Sequence, residues 1–297
     1  MSRRHSSLLA TAPAVFVVLW ATGFVVARLS AGHVEPLSFL AFRFPIAGLC
    51  LAAIAWLRRT EWPRGNNILH AGLAGALLHA GYLGPIYWAV ANGMPGGVSA
   101  LIVGLQPLIT AFLAAPLLGD FINRKHWLGL AVGITGVALV LSPKFSSQSF
   151  GGISPVTVAA CVFGTLSVAL GTIYQKKFAS GLPLLTSMVW QYFGASLVVI
   201  AAAALFESFG FDGSFEAWFA LGWAVLVLSL AAIVLLMMLI REGNVSRVSS
   251  LIFLVPAVSA LMTFVLFHET LTWVQVTGMA VCAAAVLIVS RSAARPQ

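Results

Sequence analysis

Long apolar runs separated by short polar links make up most of the chain. A helix that crosses the hydrocarbon core of a membrane needs about 20 mostly apolar residues, and ten runs come near that length. The runs are too long and too uniformly apolar for the alternating strands of a membrane barrel, so we predict that each forms a helix. The predicted spans are 12–32, 36–57, 68–91, 95–118, 126–142, 154–174, 183–206, 216–240, 246–267 and 271–290.

The stretch 99–142 returns in altered form at 248–291. Each copy contains an apolar run with a proline inside it, a short polar hinge and a second apolar run, and Pro256 follows Pro107 by 149 residues. A repeat of this length indicates two copies of one structural unit. The longest polar link lies between the two copies. The predicted units are residues 1–145 and 150–297, with five helices each.

Basic residues alternate along the links. They fall at the two termini and in every second link, as at Arg58 and Arg59 and at Lys176 and Lys177, whereas the other links carry mostly acidic residues. Because lysine and arginine are enriched in cytoplasmic links, we predict that both termini are cytoplasmic. Five is an odd number, so the second unit then enters the membrane from the opposite side. This is the inverted-repeat plan of secondary transporters.

The composition indicates the class of protein. Of the 297 residues, 60% are hydrophobic and 8% are charged, whereas a soluble domain has about 25% charged residues. We therefore predict an all-α integral membrane protein surrounded by the lipid bilayer. The net charge of +8 is spread over the links and indicates no nucleic-acid partner. Cys50, Cys161 and Cys282 lie in separate apolar runs, which predicts neither a disulfide nor a metal site.

Short motifs within the apolar runs point to one family. The first span contains Trp-Ala-Thr-Gly-Phe at 20–24, and the second opens with Pro36 and carries Arg43. Tyr-Trp at 87–88 ends the third span, and Gln-Pro at 106–107 lies inside the fourth. With ten helices in two inverted halves, the chain resembles the EamA-type branch of the drug/metabolite transporter superfamily over its whole length.

The resemblance implies a transporter of small metabolites. Within the branch, the aromatic-rich helices resemble those of YddG-type exporters of aromatic amino acids. The second half departs from the family pattern, because Val168 stands where the first span has Trp20 and Trp190 stands where the second span has Arg43. A mechanism with two symmetric sites is therefore not expected.

Polar and aromatic side chains inside the spans are the candidates for a substrate site, because burying them in a bilayer is costly. His79 lies near the middle of the third span, and Tyr82 lies three residues later on the same helical face. Each candidate also has a purely structural interpretation, as a packing contact, a lipid contact or a hydrogen-bond partner within the bundle. The predicted substrate-binding residues are His79, Tyr82, Trp20, Arg43, Gln106, Phe163, Trp190 and Gln191.

Pro107 and Pro256 are candidates for a different role. Each removes a backbone hydrogen bond and is expected to kink its helix. Interruptions at corresponding positions in the two halves of a transporter point to its binding site and its gates. We predict that both prolines act in gating; the alternative is that they are tolerated, as prolines often are in membrane helices.

These features favour a bacterial inner-membrane transporter that exports small organic metabolites by alternating access. The expected substrates are aromatic or other neutral amino acids and related drugs. No Walker motif is present, so ATP does not drive transport directly. None of the eight acidic residues lies deep in a span, which argues against a carboxylate proton relay. We therefore expect facilitative transport by a monomer that needs no cofactor.

Two other functions were weighed against this one. A sugar-phosphate or nucleotide-sugar antiporter would need several cationic groups in its cavity to match phosphate, and Arg43 is the one arginine or lysine placed well inside a span. An intramembrane enzyme would need a nucleophile beside a base, or a metal cluster, and the sequence shows neither.

Overall fold

A computed structural model gives the structure of the chain. It describes residues 3–30, 32–94, 99, 102–119, 123–146, 154–242, 248, 250–267 and 271–292. Over these residues the regular secondary structure is helical, apart from one isolated bridge between Val34 and Phe211. The prediction of an all-α chain is therefore confirmed for the described part.

The helices follow the apolar runs, because a helix satisfies its backbone polar groups internally and lipid offers them no other partner. Three of the helices contain a π-helical stretch. The described helices are α1 (Arg3–Ser30), α2 (Pro36–Leu57), α3 (Asn66–Gly75, π-helical Ala76–Ala80, Gly81–Ala91), α4 (Gln106–Leu118), α5 (Arg124–Ser146), α6 (Pro155–Tyr174, π-helical Gln175–Ala179), α7 (Leu184–Phe206), α8 (Phe215–Trp223, π-helical Ala224–Ala232, Ile233–Glu242), α9 (Leu254–Phe267) and α10 (Trp273–Ser292).

Six of the described helices have the length and composition of a membrane span. Four shorter apolar helices accompany them within the part of the chain that the structure describes, at Thr11–Gly23, Ile102–Leu118, Leu251–Met262 and Trp273–Val289. The six long spans are Pro36–Leu57, Asn66–Ala91, Arg124–Ser142, Pro155–Ala179, Leu184–Phe206 and Phe215–Arg241.

The two prolines singled out in the sequence lie in the first turns of helices, and not in the middle of continuous ones. Pro107 is the second residue of α4, directly after a turn in which the Leu105 N–H donates to the Ile102 carbonyl at 3.1 Å. Pro256 is the third residue of α9, which follows a short 3₁₀ turn. A short irregular turn therefore precedes each proline within its apolar helix. A role of the two prolines in gating stays a prediction.

Helices α2 and α7 pack against each other in opposite directions along their whole length. At one end, the Leu37 N–H donates to the Glu207 carboxylate at 2.8 Å. At the other end, the Thr186 hydroxyl donates to the Glu61 carbonyl at 2.7 Å. Midway, a Cβ added to Gly48 would lie only 3.3 Å from Tyr192. The two helices lie 149 residues apart in the sequence, so they are corresponding helices of the two repeat units. They run in opposite directions.

Helices α5 and α10 form a second antiparallel pair, again from corresponding positions of the repeat. A Cβ added to Gly136 would lie 2.7 Å from the Cys282 backbone nitrogen, and one added to Gly129 would lie 2.7 Å from the Val289 side chain. Small residues of this kind let two membrane helices approach closely. We call the α2/α7 and α5/α10 contacts the two seams.

The buried apolar side chains form two main clusters, one along each seam. The larger cluster contains Phe44 and Leu51 of α2 and Tyr192 of α7, together with residues of α3 and α8. The other contains Phe16 of α1, with residues of α5, α9 and α10. Trp20 packs against both clusters. The junction of the two clusters therefore passes through α1.

Two carboxylates tie the α1–α2 link to the α7–α8 link. Glu207 accepts hydrogen bonds from the backbone N–H groups of Leu37 and Ser38, at 2.8 and 2.6 Å, in the first turn of α2. Glu35 accepts one from the backbone N–H of Gly210 at 2.6 Å. Each carboxylate thus binds backbone of the other link. We call Glu35 and Glu207, with these partners, the carboxylate clamp.

A hydrogen-bonded histidine and aspartate lie beside the carboxylate clamp. His33 Nδ1 and Asp212 Oδ2 are 2.6 Å apart, and the Ser214 N–H donates to the other Asp212 oxygen at 2.9 Å. The Ser214 N–H and the His33 hydrogen bond lower the pKa of Asp212 to about 2. The hydrogen bond from the Gly210 backbone likewise lowers the pKa of Glu35. Stabilisation by hydrogen bonds therefore favours the charged form of both carboxyl groups.

Candidate functional site

A small cavity lies where the two apolar clusters meet. Its volume is about 20 Å³, which is room for one water molecule and too little for an amino acid. Helices α1, α3, α4, α6 and α8 line it, together with the stretch before α9. They make up three pairs of corresponding helices, α1 with α6, α3 with α8 and α4 with α9. The seam helices contribute no lining residue. Its polar and aromatic lining residues are Trp20, His79, Tyr82, Gln106 and Thr172.

The π-helical stretch of α3 carries His79. Such stretches are frequent at functional sites, because they disturb the regular hydrogen-bond ladder. The Ser167 hydroxyl of α6 donates to the Leu77 carbonyl at 2.9 Å within this stretch. Gly75, just before it, lies against the backbone of Gln191. The stretch is therefore held from both sides, by α6 and by α7.

The imidazole of His79 is packed between aromatic rings. It is parallel to the Tyr192 ring, with centroids 4.9 Å apart and planes inclined by 6°, and lies 6.0 Å from the Phe44 ring. The Tyr192 hydroxyl in turn donates to the Ser229 carbonyl at 2.9 Å. The residue is 2% exposed, and its Nε2 has no hydrogen-bond partner among the described residues. A ring held in place with a free polar atom is suited to bind a ligand.

Arg43 is buried beside the cavity but does not line it. Its Nε donates to the Ser229 hydroxyl at 2.8 Å, and its guanidinium carbon lies 5.8 Å from the centre of the Phe44 ring. Ser229 belongs to the π-helical stretch of α8. One serine thus bonds both Arg43, through its hydroxyl, and Tyr192, through its carbonyl.

Trp190 and Gln191 lie behind the cavity. The Gln191 amide donates to the Gln175 side chain at 3.0 Å, and its oxygen has no partner among the described residues. Gln175 opens the π-helical stretch of α6. The Trp190 ring packs edge-on against Phe193 at 5.6 Å, and its buried Nε1 has no hydrogen-bond partner within the described part of the chain.

Phe163 lies outside the site, and its predicted role in the cavity is wrong. The side chain is 59% exposed on the outer surface of α6. The next residue, Gly164, packs against the Tyr82 backbone, which fixes the rotation of α6. Val168 and Thr172, one and two turns after Gly164, line the cavity instead.

Other functional candidates emerge only in the folded chain. Tyr192 directly follows two predicted site residues, Trp190 and Gln191. Its position in the sequence therefore already indicated a place close to the site. Ser229 and Gln175 gave no comparable signal, because serine and glutamine are common in helices. Within the described residues, no group of three or more His, Cys, Asp or Glu side chains could hold a metal ion.

Comparison with known proteins gives one family match. The profile of the EamA-like transporter family matches residues 8–142 and, a second time, residues 156–291. Together the two matches cover most of the chain.

Curated relatives extend over almost the whole chain at low identity. "Uncharacterized inner membrane transporter YedA" of Escherichia coli K12 is 27% identical, over 92% of this chain and 87% of its own. "Uncharacterized transporter YvbV" of Bacillus subtilis is 28% identical, over 93% and 90%. "Probable amino-acid metabolite efflux pump" of Escherichia coli K12 is 26% identical, over 88% of both. A solved crystal structure with 20% identity superimposes with a TM-score of 0.79 and covers 98% of both chains, which shows a shared fold.

Proposed function

Since the chain belongs to the EamA-like transporter family, we propose that it exports small organic metabolites, amino acids foremost, across the bacterial inner membrane by alternating access. The small cavity carries this proposal. It lies between the two apolar clusters, and aromatic and polar side chains line it, among them Trp20, His79, Tyr82 and Gln106. A relative named as an amino-acid metabolite efflux pump supports the substrate class.

The proposed architecture has ten transmembrane helices in two inverted units, over residues 1–145 and 150–297. The antiparallel seams support it, since α2 pairs with α7 and α5 with α10, which hold corresponding positions in the repeat. The distribution of basic residues supports a cytoplasmic position for both termini. The carboxylate clamp then lies on the periplasmic side.

In the proposed site, Trp20 and Tyr82 supply aromatic walls and His79 and Gln106 supply hydrogen bonds. All four line the cavity. Gln191 and Trp190 form the layer behind it, where they support the π-helical stretches. The cavity holds one water molecule at most, so the lining helices must separate before a metabolite enters. The breaks before Pro107 and Pro256 are the proposed points of movement, since they interrupt the helices next to the cavity.

The transport is proposed to be facilitative. Coupling to protons needs a group that changes its charge within the pathway. Among the lining residues, His79 is the one candidate with an ordinary titration near neutral pH. Burial in an apolar bundle opposes its charged form. The substrate's own concentration gradient is therefore expected to set the direction of transport.

Counterflow in proteoliposomes tests the proposal. Vesicles that contain the purified chain are loaded with one unlabelled amino acid and then given the same amino acid in labelled form outside. Transient uptake of at least one neutral amino acid, with no uptake into protein-free vesicles, is the expected result. Counterflow of a sugar phosphate but of no amino acid would contradict the proposed substrate class.

The same vesicles test the energetics. An imposed pH or sodium gradient is expected to leave the final internal concentration of substrate equal to the external one. Accumulation above equilibrium under a pH gradient would refute the facilitative mechanism. Loss of that accumulation in His79→Ala would then identify the coupling residue.

A further inference from the structure

Arg43 is a cation buried inside a membrane helix. Its side chain is 5% exposed. Among the described residues, the one pair of oppositely charged groups within 4 Å is His33 with Asp212 in the links, so Arg43 has no carboxylate partner there. A charged side chain in the interior of a bilayer is costly, and it normally has a partner within the bundle. A buried arginine without a counter-ion therefore calls for an anion from elsewhere.

The hydrogen bonds of Arg43 point the same way. A guanidinium has five N–H groups that donate hydrogen bonds, and it has no acceptor. Nε donates to Ser229 at 2.8 Å, and the four terminal N–H groups make no hydrogen bond to a described residue. With Nε occupied, the edge formed by the two terminal nitrogens is free. That edge matches the two oxygens of a carboxylate.

His79 is a second polar group close to Arg43. Its Nε2 has no hydrogen-bond partner among the described residues. The Phe44 ring lies 6.0 Å from the His79 ring and 5.8 Å from the Arg43 guanidinium carbon, so the two polar groups are neighbours across one aromatic residue. Because His79 lines the cavity, Arg43 lies close to the cavity wall.

We propose that the terminal nitrogens of Arg43 bind the carboxylate of the transported molecule once the cavity opens toward α2. The site would then take zwitterions and organic acids and would discriminate against amides and amines of the same shape. This inference rests on the proposed function and narrows its substrate class. Ser229 is a positioning residue in it, because its hydroxyl holds Nε and so orients the free edge.

The partner that the structure gives Arg43 carries no negative charge. Nε donates to the neutral Ser229 hydroxyl, so this contact leaves the charge of the guanidinium unbalanced. A lysine at position 43 could keep the charge but could not present two parallel N–H groups to two oxygens. Arg43→Lys is therefore expected to bind carboxylates more weakly and to keep some preference for them.

Ligand-dependent thermal stability of the purified protein tests the inference without transport. Ligands that bind only the folded state raise the melting temperature, and at a given concentration the rise is larger for the tighter ligand. The probes are the twenty proteinogenic amino acids and the carboxamide of each, in a buffer that contains neither chloride nor a carboxylate. We expect at least one amino acid to stabilise the wild type at a concentration at least about tenfold lower than its amide, as for the loss of one charge-assisted hydrogen-bond pair.

Variants at position 43 test whether Arg43 causes the difference between amino acid and amide. Arg43→Gln should remove the difference between acid and amide, and Arg43→Lys should reduce it. Arg58→Gln, at an exposed arginine just after α2, should leave it unchanged. If Arg43→Gln does not fold, the comparison of acid with amide in the wild type and in Arg43→Lys still decides the matter.

Four results would overturn the inference. One is that no amino acid stabilises the wild type; another is that the acid and amide are equally effective. The third is that chloride alone stabilises the protein as much as an amino acid does, with the same dependence on Arg43, because the counter-ion is then a free halide. Counterflow of a compound without a carboxylate would overturn this inference and leave the proposed transport function standing.

Discussion

At the scale of single residues, His79 has the most constrained position in the cavity. The Tyr192 ring covers one of its faces, and the Tyr192 hydroxyl is itself anchored on Ser229. Nε2 remains without a partner among the described residues. An unsatisfied buried polar atom costs folding energy, about 1–3 kcal/mol. In the proposed function, movement of the lining helices gives this atom a partner during transport.

Alanine at His79 or at Tyr82 is expected to impair transport while the protein still folds. Each substitution removes a side chain that lines the cavity, and loss of one ligand hydrogen bond of about 1.4 kcal/mol corresponds to roughly tenfold weaker binding. Initial rates of counterflow in proteoliposomes measure the effect, and the melting temperature reports on folding. Phe163→Ala is the matched control, since Phe163 is exposed on α6. Normal transport by both cavity variants would show that the substrate site does not lie on this face of α3.

Polarity and depth in the apolar spans were enough to find residues that line one cavity, and their role in substrate binding stays a prediction. Trp20, His79, Tyr82 and Gln106 were identified as unusual side chains in apolar spans, and the structure brings all four to one cavity. The prediction for Phe163 failed, because an aromatic side chain is equally at home against lipid. Whether Phe163 faces the cavity or the lipid depends on the rotation of α6 about its axis. A sequence of apolar residues does not encode that rotation strongly.

At the scale of helices, glycines set how closely α3 and α7 approach. A Cβ added to Gly75 would overlap the Gln191 backbone, and one added to Gly194 would overlap the Gly72 backbone. Backbone contact of this kind places the π-helical stretch of α3 directly against Gln191. The cavity wall is therefore built on the crossing of these two helices.

Gly75→Ala is expected to destabilise the protein by about 1–3 kcal/mol, because backbone atoms on both helices must move apart. Gly222→Ala in α8 is the control. Nothing lies within 4 Å of a Cβ added there, and alanine is the better helix former. Thermal unfolding in detergent compares the two variants. Equal melting temperatures would show that the crossing adapts without cost.

Acid is expected to weaken the contact between the α1–α2 and α7–α8 links. The pKa of Glu35 lies below its ordinary value of 4.5, and that of Asp212 is lowered from 3.8 to about 2. Groups with a lowered pKa stabilise the fold above their unfolded pKa, and this stabilisation is lost as the pH falls from about 4.5 towards 2. The melting temperature should therefore drop over that range.

The variants Glu35→Gln and Asp212→Asn should flatten this dependence on pH. Neither amide can be ionised, so neither variant can lose a charge on acidification. Glu216→Gln serves as a control, because Glu216 is an exposed acid at the start of α8. Identical pH profiles for the wild type and both clamp-side variants would show that these links contribute nothing to stability.

At the scale of the whole molecule, the seams and the cavity use different helices. The pairs α2/α7 and α5/α10 pack along their length, whereas the cavity is lined by the other three corresponding pairs. Close packing resists continuous deformation. The seams are therefore suited to hold the two halves together while the lining helices move.

Both termini and the link after α6 are expected on the cytoplasmic side. The test places single cysteines in a chain from which Cys50, Cys161 and Cys282 have been removed. A membrane-impermeant thiol reagent added to intact cells should label a cysteine at position 209, beside the carboxylate clamp, and should spare cysteines at positions 125 and 176. Labelling of position 125 or 176 from outside would contradict the proposed inverted architecture.

The sequence by itself determined the membrane class, the approximate positions of the helices, the repeat and the family. Those properties follow from local hydropathy and from patterns along the chain, which need no knowledge of neighbours. Only the tertiary structure decided which face of each helix meets the cavity, where Arg43 finds Ser229, and that Tyr192 covers His79. The physical reason is that lipid and helix neighbours are equally apolar. Rotation of a helix about its own axis is then set by close contacts between distant segments, such as Gly164 against Tyr82 and Gly75 against Gln191.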